Sequence, residues 1–184
     1  MKRDITQRLK DEHQLILRML ALLEQNAALT AEGVFHDYRF YLDGVDFIRN
    51  YADRFHHAKE EDILFEALIE NGMPREHSPV AAMLMEHDLG RNYVRGLEEA
   101  ASAALAGEKG HDAEIAAHAN GYLQLLREHI AKEDDILYPL AERLIPEEMR
   151  EKILAGYGQA EAAREGLEEH YRRIVEGYEA KQAA

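Results

Sequence analysis

Apolar residues recur at three- and four-residue intervals along most of the 184-residue chain, the spacing of helices that bury one face. The first such stretch covers residues 5–28, with Ile5, Leu9, Ile16, Leu20 and Leu23 on one side. A second begins near Phe35 and stops at Asn71-Gly72, just before Pro74. Ser78-Pro79 supplies an N-cap and a first-turn proline for a third, which runs to Gly107. The loop Gly107-Glu108-Lys109-Gly110 leads into a fourth, which Pro139 ends or kinks. Pro146-Glu147-Glu148 opens another helix, and Leu167, Tyr171, Ile174, Val175 and Tyr178 mark the face of a last one. No Val/Ile/Thr-rich alternating run reads as a strand. The predicted fold is all-α: an antiparallel up-down four-helix bundle over residues 1–143, with a helical C-terminal extension over residues 144–184 that packs on the bundle or on a partner.

The chain also repeats itself. The nine residues from His56 to Leu64 match those from His129 to Leu137 at seven positions, an offset of 73 (56 to 129). Glu12-His13 is echoed by Glu86-His87 at an offset of 74 (13 to 87). Helices one and two therefore read as duplicated in helices three and four, and a pseudo-twofold would bring the two His-x-x-x-Glu segments face to face.

Composition narrows the chemistry. Lys and Arg total 22 against 36 Asp and Glu, a formal net charge of −14, which repels phosphate backbones and disfavours nucleic acid. No apolar run approaches the ~18 residues of a membrane span, and no signal-peptide core follows Met1-Lys2-Arg3-Asp4. Cysteine is absent, removing disulfides and thiolate ligands; a cytoplasmic location is the expectation. Serine occurs only at Ser78 and Ser102, too sparse for a serine nucleophile with its network.

Residues four apart share a helix face. On the second helix Val45, Ile48, Ala52, Ile63 and Ala67 form one stripe that contains His56 and Glu60, whereas His57 and Glu61 share a side with Asn50, Asp53 and Arg54. His57 is therefore expected nearer solvent, but with Glu61 four residues on it stays an alternative ligand outside the six. His129 and Glu133 fall between Tyr122 and Leu126 on one side and Ile136 and Leu140 on the other; His13 interrupts Leu9 and Ile16; His87 follows Val80 and Met83. A lone histidine in an apolar stripe is usually a hydrogen-bonded core residue. Four of them with two acids at matched spacing need compensation, because each buried charge costs several kcal/mol. Protonation with mutual hydrogen bonding is one solution and metal the other. Imidazole and carboxylate without sulfur suit iron, manganese or zinc. With two histidines per ion, both carboxylates bridging and a shared oxo or hydroxo group, an octahedral ion keeps one position for a small molecule.

The order His13, His56-x-x-x-Glu60, His87, His129-x-x-x-Glu133 resembles the hemerythrin-like, or HHE, cation-binding family over roughly the first 140 residues. The resemblance implies a non-haem pair of iron ions, with manganese or zinc less favoured. His13, His56, His87 and His129 would be terminal ligands, and Glu60 and Glu133 would bridge. Oxygen-carrying hemerythrins have a further histidine one turn after the third-helix ligand; here that position is Arg91, which leaves it open or filled by water or by Glu86. Arg91 reads as an ion-pairing or channel residue. Glu61, Asp62, Asp134 and Asp135 read as a solvated acidic edge, with support of the ligands from behind as the alternative, Lys59 and Lys132 as surface partners of acids, and Tyr51 and Tyr122 as core. His36, His77, His111, His118 and His170 show no ligand pattern. The expected ligand is O2, NO or peroxide, bound, sensed or turned over, or iron itself. The alternatives are a metal-stabilised regulatory module, recruiting a protein partner or second copy through the C-terminal helix, and a zinc or manganese hydrolase.

Overall fold

Each long amphipathic stretch forms a helical rod, and four rods close into a ring; the computed structural model describes residues 2–183. The first rod is α1 (Gln7–Ala31). The second starts as α2 (Tyr38–Phe47), passes through the π-helical turns π1 (Ile48–His57) and π2 (Glu60–Leu64), and ends as α3 (Phe65–Glu70). The third is α4 (Pro79–Leu105), and the fourth runs from α5 (Asp112–Lys132) through π3 (Glu133–Leu137) into α6 (Tyr138–Leu144). α4 packs on α5, α5 on α1, and α2 on α4, while α1 also touches π1. No strand occurs among the described residues, and no described helix is long and apolar enough to cross a membrane.

The termini follow local chemistry. Ser78 Oγ accepts a hydrogen bond from the Ala81 amide at 3.2 Å, with Pro79 in the first turn. Gly72 and Gly107 end the second and third rods at φ 96° and 94°, a left-handed conformation that glycine adopts without steric cost. Pro139 does not end the fourth rod, which continues to Leu144. Nor does it cause the wide turn before it: the second rod has the same turn, with Glu66 at the position equivalent to Pro139. What the two turns share is the repeated Ala-Lys-Glu-Glu/Asp-Asp-Ile-Leu segment, and π-turns within helices gather at functional sites.

The apolar core is cut in two. One cluster includes Ile16, Leu20, Tyr51, Phe55, Leu126 and Ile130; the other includes Leu9, Leu64, Phe65, Met83, Leu137 and Tyr138. Between them lies a layer of histidine and carboxylate. α7 (Glu147–Ala162) adds Ile153 and Tyr157 to the second cluster, and α8 (Leu167–Gln182) adds Tyr171 and Val175 to the first. Buried Arg150 fastens α7 by donating to the carbonyls of Arg3, Glu142 and Ile145.

Candidate metal centre

All six sequence-derived candidates meet in that polar layer. His13 comes from α1, His56 from π1, Glu60 from π2, His87 from α4, His129 from α5 and Glu133 from π3, and all are buried. His13 Nε2 lies 3.0 Å from His56 Nε2, and His87 Nε2 lies 3.0 Å from His129 Nε2. Glu133 spans the two histidine pairs, with Oε1 3.0 Å from His129 Nε2 and Oε2 3.3 Å from His13 Nε2. Glu60 does the same at longer range: Oε2 stands 3.7 Å from both His56 Nε2 and His87 Nε2. Each carboxylate thus faces one histidine from either pair.

A seventh residue joins them. His57, expected nearer solvent, is buried, and its ring stacks on His87 at 3.8 Å between centroids. The expectation assumed α-helical rotation. In π1 the i→i+5 bonding widens the turn and rotates successive side chains less, so neighbours 56 and 57 both face inward. Ligating atoms gather into two groups that share Glu60: His13, His56, Glu60 and Glu133; and His57, Glu60, His87 and His129. The same distortion turns Ile136, expected in the inward stripe, out to 58% exposure.

The outer nitrogens of the four matched histidines are all tied to carboxylates. His13 Nδ1 meets Asp134 at 3.0 Å, His56 Nδ1 meets Glu12 at 2.8 Å, His87 Nδ1 meets Glu61 at 2.6 Å and His129 Nδ1 meets Glu86 at 2.9 Å. This arrangement places the proton on Nδ1 and directs the Nε2 lone pair inward. Glu61 and Asp134 are therefore not simply a solvated edge; Asp62 and Asp135 are exposed. Glu86 serves the outer nitrogen of His129 and does not stand in for a missing ligand. Lys59, expected on the surface, is buried and bonded to Glu12, over the Phe55 ring at 3.9 Å. Lys132 bonds Glu86 from a half-exposed position.

Arg91 turns away from the centre. Its guanidinium donates to Asp53 at 2.7 Å, Glu61 at 2.8 Å and Asp88 at 2.9 Å. It borders a cavity of about 230 Å³ that reaches His57, His87 and His129. His111 pairs with Glu108 and Glu114 in its loop, outside the centre.

The donor set fits cations. Two pairs of inward imidazole nitrogens face each other at hydrogen-bond distance, while Glu60 Oε2 and both Glu133 oxygens are buried without a hydrogen-bond partner. Unpaired buried carboxylate oxygens cost free energy that a positive charge would remove. Protons offset it only in part. Burial opposes the His13 imidazolium, but Asp134 and Glu133 outweigh it and lift the group to about 9. Burial and neighbouring positive charge hold His56 and His57 well below the ordinary range. Burial and the adjacent Glu133 push Glu60 up; burial pushes Glu133 up too, but His129 and His13 prevail and hold it low. Tyr138 donates to Glu60 Oε1 at 2.5 Å.

Sequence reasoning left His57 outside the six and missed the four outer carboxylates as a set. The doubled Glu-His at residues 12–13 and 86–87 was the signal for two of them, and the histidine pair 56–57 for the fifth imidazole.

A four-helix bundle whose waist is a closed shell of histidines and carboxylates is a metal-binding bundle. The Hemerythrin HHE cation binding domain matches residues 4–141, well over half of the chain, and the protein belongs to that family. Comparisons with curated proteins and with solved structures gave no match. Family membership implies metal binding, and the two buried His/Glu groups of the polar layer fit a metal site.

Proposed function

We propose that the protein holds two iron ions and uses them to bind or sense O2, NO or peroxide. The observation that carries this reading is the pair of ligand groups sharing Glu60 in a layer sealed between two apolar clusters. His13 and His56 would serve one ion and His57, His87 and His129 the other, with Glu60 and Glu133 common to both. Three imidazoles against two would make the ions inequivalent, and the cavity gives a small ligand its approach from the three-histidine side. Iron supplies reversible one-electron chemistry, which zinc cannot.

The chain's own residues do the rest. The four outer carboxylates fix each imidazole ring and its tautomer, the apolar clusters bury the layer from either end of the bundle, and the Tyr138 hydroxyl holds a proton against Glu60. Purified protein should carry close to two irons and absorb in the near ultraviolet. His56→Ala and Glu133→Ala should lose iron while the helical signal persists; unchanged metal content in both sinks the proposal. Reduction without air followed by oxygen exposure distinguishes it from a zinc site, whose spectrum would not change.

A further inference from the structure

The cavity beside the three-histidine group is larger than a diatomic ligand requires. Its volume is about 230 Å³, whereas a water-sized molecule occupies roughly 30 Å³. Ile48, Val94, Leu125 and Leu126 line it with apolar surface, and so does Gly90, where a Cβ would make ordinary contact with the Tyr122 ring at 3.5 Å and Leu125 at 3.7 Å.

Two features of its lining are unspent. The Tyr122 hydroxyl is buried with no hydrogen-bond partner, against the rule that such groups are paired. At the rim stand four arginines, in a chain of net charge −14. Arg49 is committed to Glu98 and Arg91 to Asp53, Glu61 and Asp88. Arg54 and Arg95 meet only neutral oxygens, Asn50 Oδ1 at 3.3 Å and Asn92 Oδ1 at 3.1 Å. A guanidinium fork with no acid is an open carboxylate receptor.

We propose that this cavity binds a small organic carboxylate, its charged end at Arg54 and Arg95 and its apolar body between Val94 and Tyr122, beside the metal centre. The inference deepens the di-iron reading by adding a second ligand class at the same centre, but the binding chemistry is the cavity's own. Benzoate is a suitable probe, with benzamide as its uncharged isostere and inorganic phosphate as an anion without an apolar body. By calorimetry on the full chain as purified, benzoate should bind at least tenfold more tightly than either. The exposed pair Arg54→Gln/Arg95→Gln should weaken benzoate at least tenfold with metal content unchanged. Gly90→Ile, which fills the cavity, should abolish benzoate binding. Benzoate binding equal to benzamide, or indifferent to the arginine pair, overturns the proposal. So does phosphate binding of equal strength that survives Gly90→Ile. Absence of iron with benzoate binding intact would instead sink the di-iron reading alone.

Discussion

The two hairpins of the bundle carry equivalent ligands at equivalent positions, yet surround them differently. Glu12-His13 corresponds to Glu86-His87, His56 to His129, Lys59 to Lys132, Glu60 to Glu133 and Glu61 to Asp134, and the hydrogen bonds repeat with them. Four differences break the symmetry. His57 answers Ile130, Gly90 answers Ile16, Arg91 answers Leu17 and Asp53 answers Leu126. The face between the second and third rods presents an imidazole, a gap and an ion-paired arginine; the face between the first and fourth presents core-packed side chains. α7 adds a further asymmetry. It covers the first hairpin, bringing Glu161 to 3.5 Å from Lys59 and Gly156 against Ile63, while Ile136 stays exposed. Repetition builds the histidine and carboxylate frame; its local failures make the two His/Glu groups unlike and open one of them to a cavity.

The strongest way to test the frame is to empty it. A chelated, metal-free protein keeps two facing imidazole pairs and three unpartnered carboxylate oxygens. Ligand occupancy a thousandfold above Kd contributes about 4 kcal/mol, which for a chain of this size corresponds to roughly 10 °C. Calorimetry should show the midpoint falling by about that amount on chelation and recovering with ferrous iron. An unchanged midpoint would mean that protons alone satisfy the layer.

The lysines sharpen the comparison next. Lys59 and Glu12 are both buried, so Lys59→Met strands a carboxylate and should cost about 3 kcal/mol. Lys132 bonds Glu86 from a side chain 39% exposed, so Lys132→Met should cost less than about 1 kcal/mol. Equal losses in urea unfolding would show that α7 does not isolate the first hairpin from solvent. Between those two falls the effect of erasing the extra imidazole. His57→Ile copies Ile130 into the other hairpin and should weaken the three-histidine ion by about tenfold or more, lowering iron below two per chain under competition with a chelator.

Much of this was legible in the sequence. The repeat and the apolar spacing were enough for four rods and for the inward turn of His13, His56, Glu60, His87, His129 and Glu133. His57 and Ile136 were misplaced for one reason: a face drawn at α-helical rotation does not hold through π1, π2 and π3, and nothing in local propensity distinguishes a π-turn from an α-turn. The burial of Lys59 depends instead on Glu161, about a hundred residues away, and no periodicity within its own helix reports that contact.

The finest probe of the asymmetry is the ion-pair network at the cavity rim, and here pH supplies the test. Burial alone would raise the Asp53 carboxyl, but His57 and Arg91 outweigh it and hold it low; His87 and Arg91 do the same for Glu61. A carboxylate whose folded value lies below its unfolded value stabilises the fold above the unfolded value, near 4, and loses that contribution as the pH falls through the folded one. The metal-free protein should therefore lose stability progressively below about pH 4. Arg91→Leu, which copies Leu17, leaves both carboxylates nearer their unfolded values, and part of that acid-side slope should disappear. Because Arg91 is 38% exposed and screened by solvent, the loss at neutral pH should stay within about 1 kcal/mol. The reverse substitution, Leu17→Arg, has Leu126 at the position equivalent to Asp53 and only Asp134 at that of Glu61, so it should acquire less acid-side slope than Arg91 supplies. If urea midpoints of both variants followed the parent's pH profile, the arginine would contribute nothing to the difference between the hairpins.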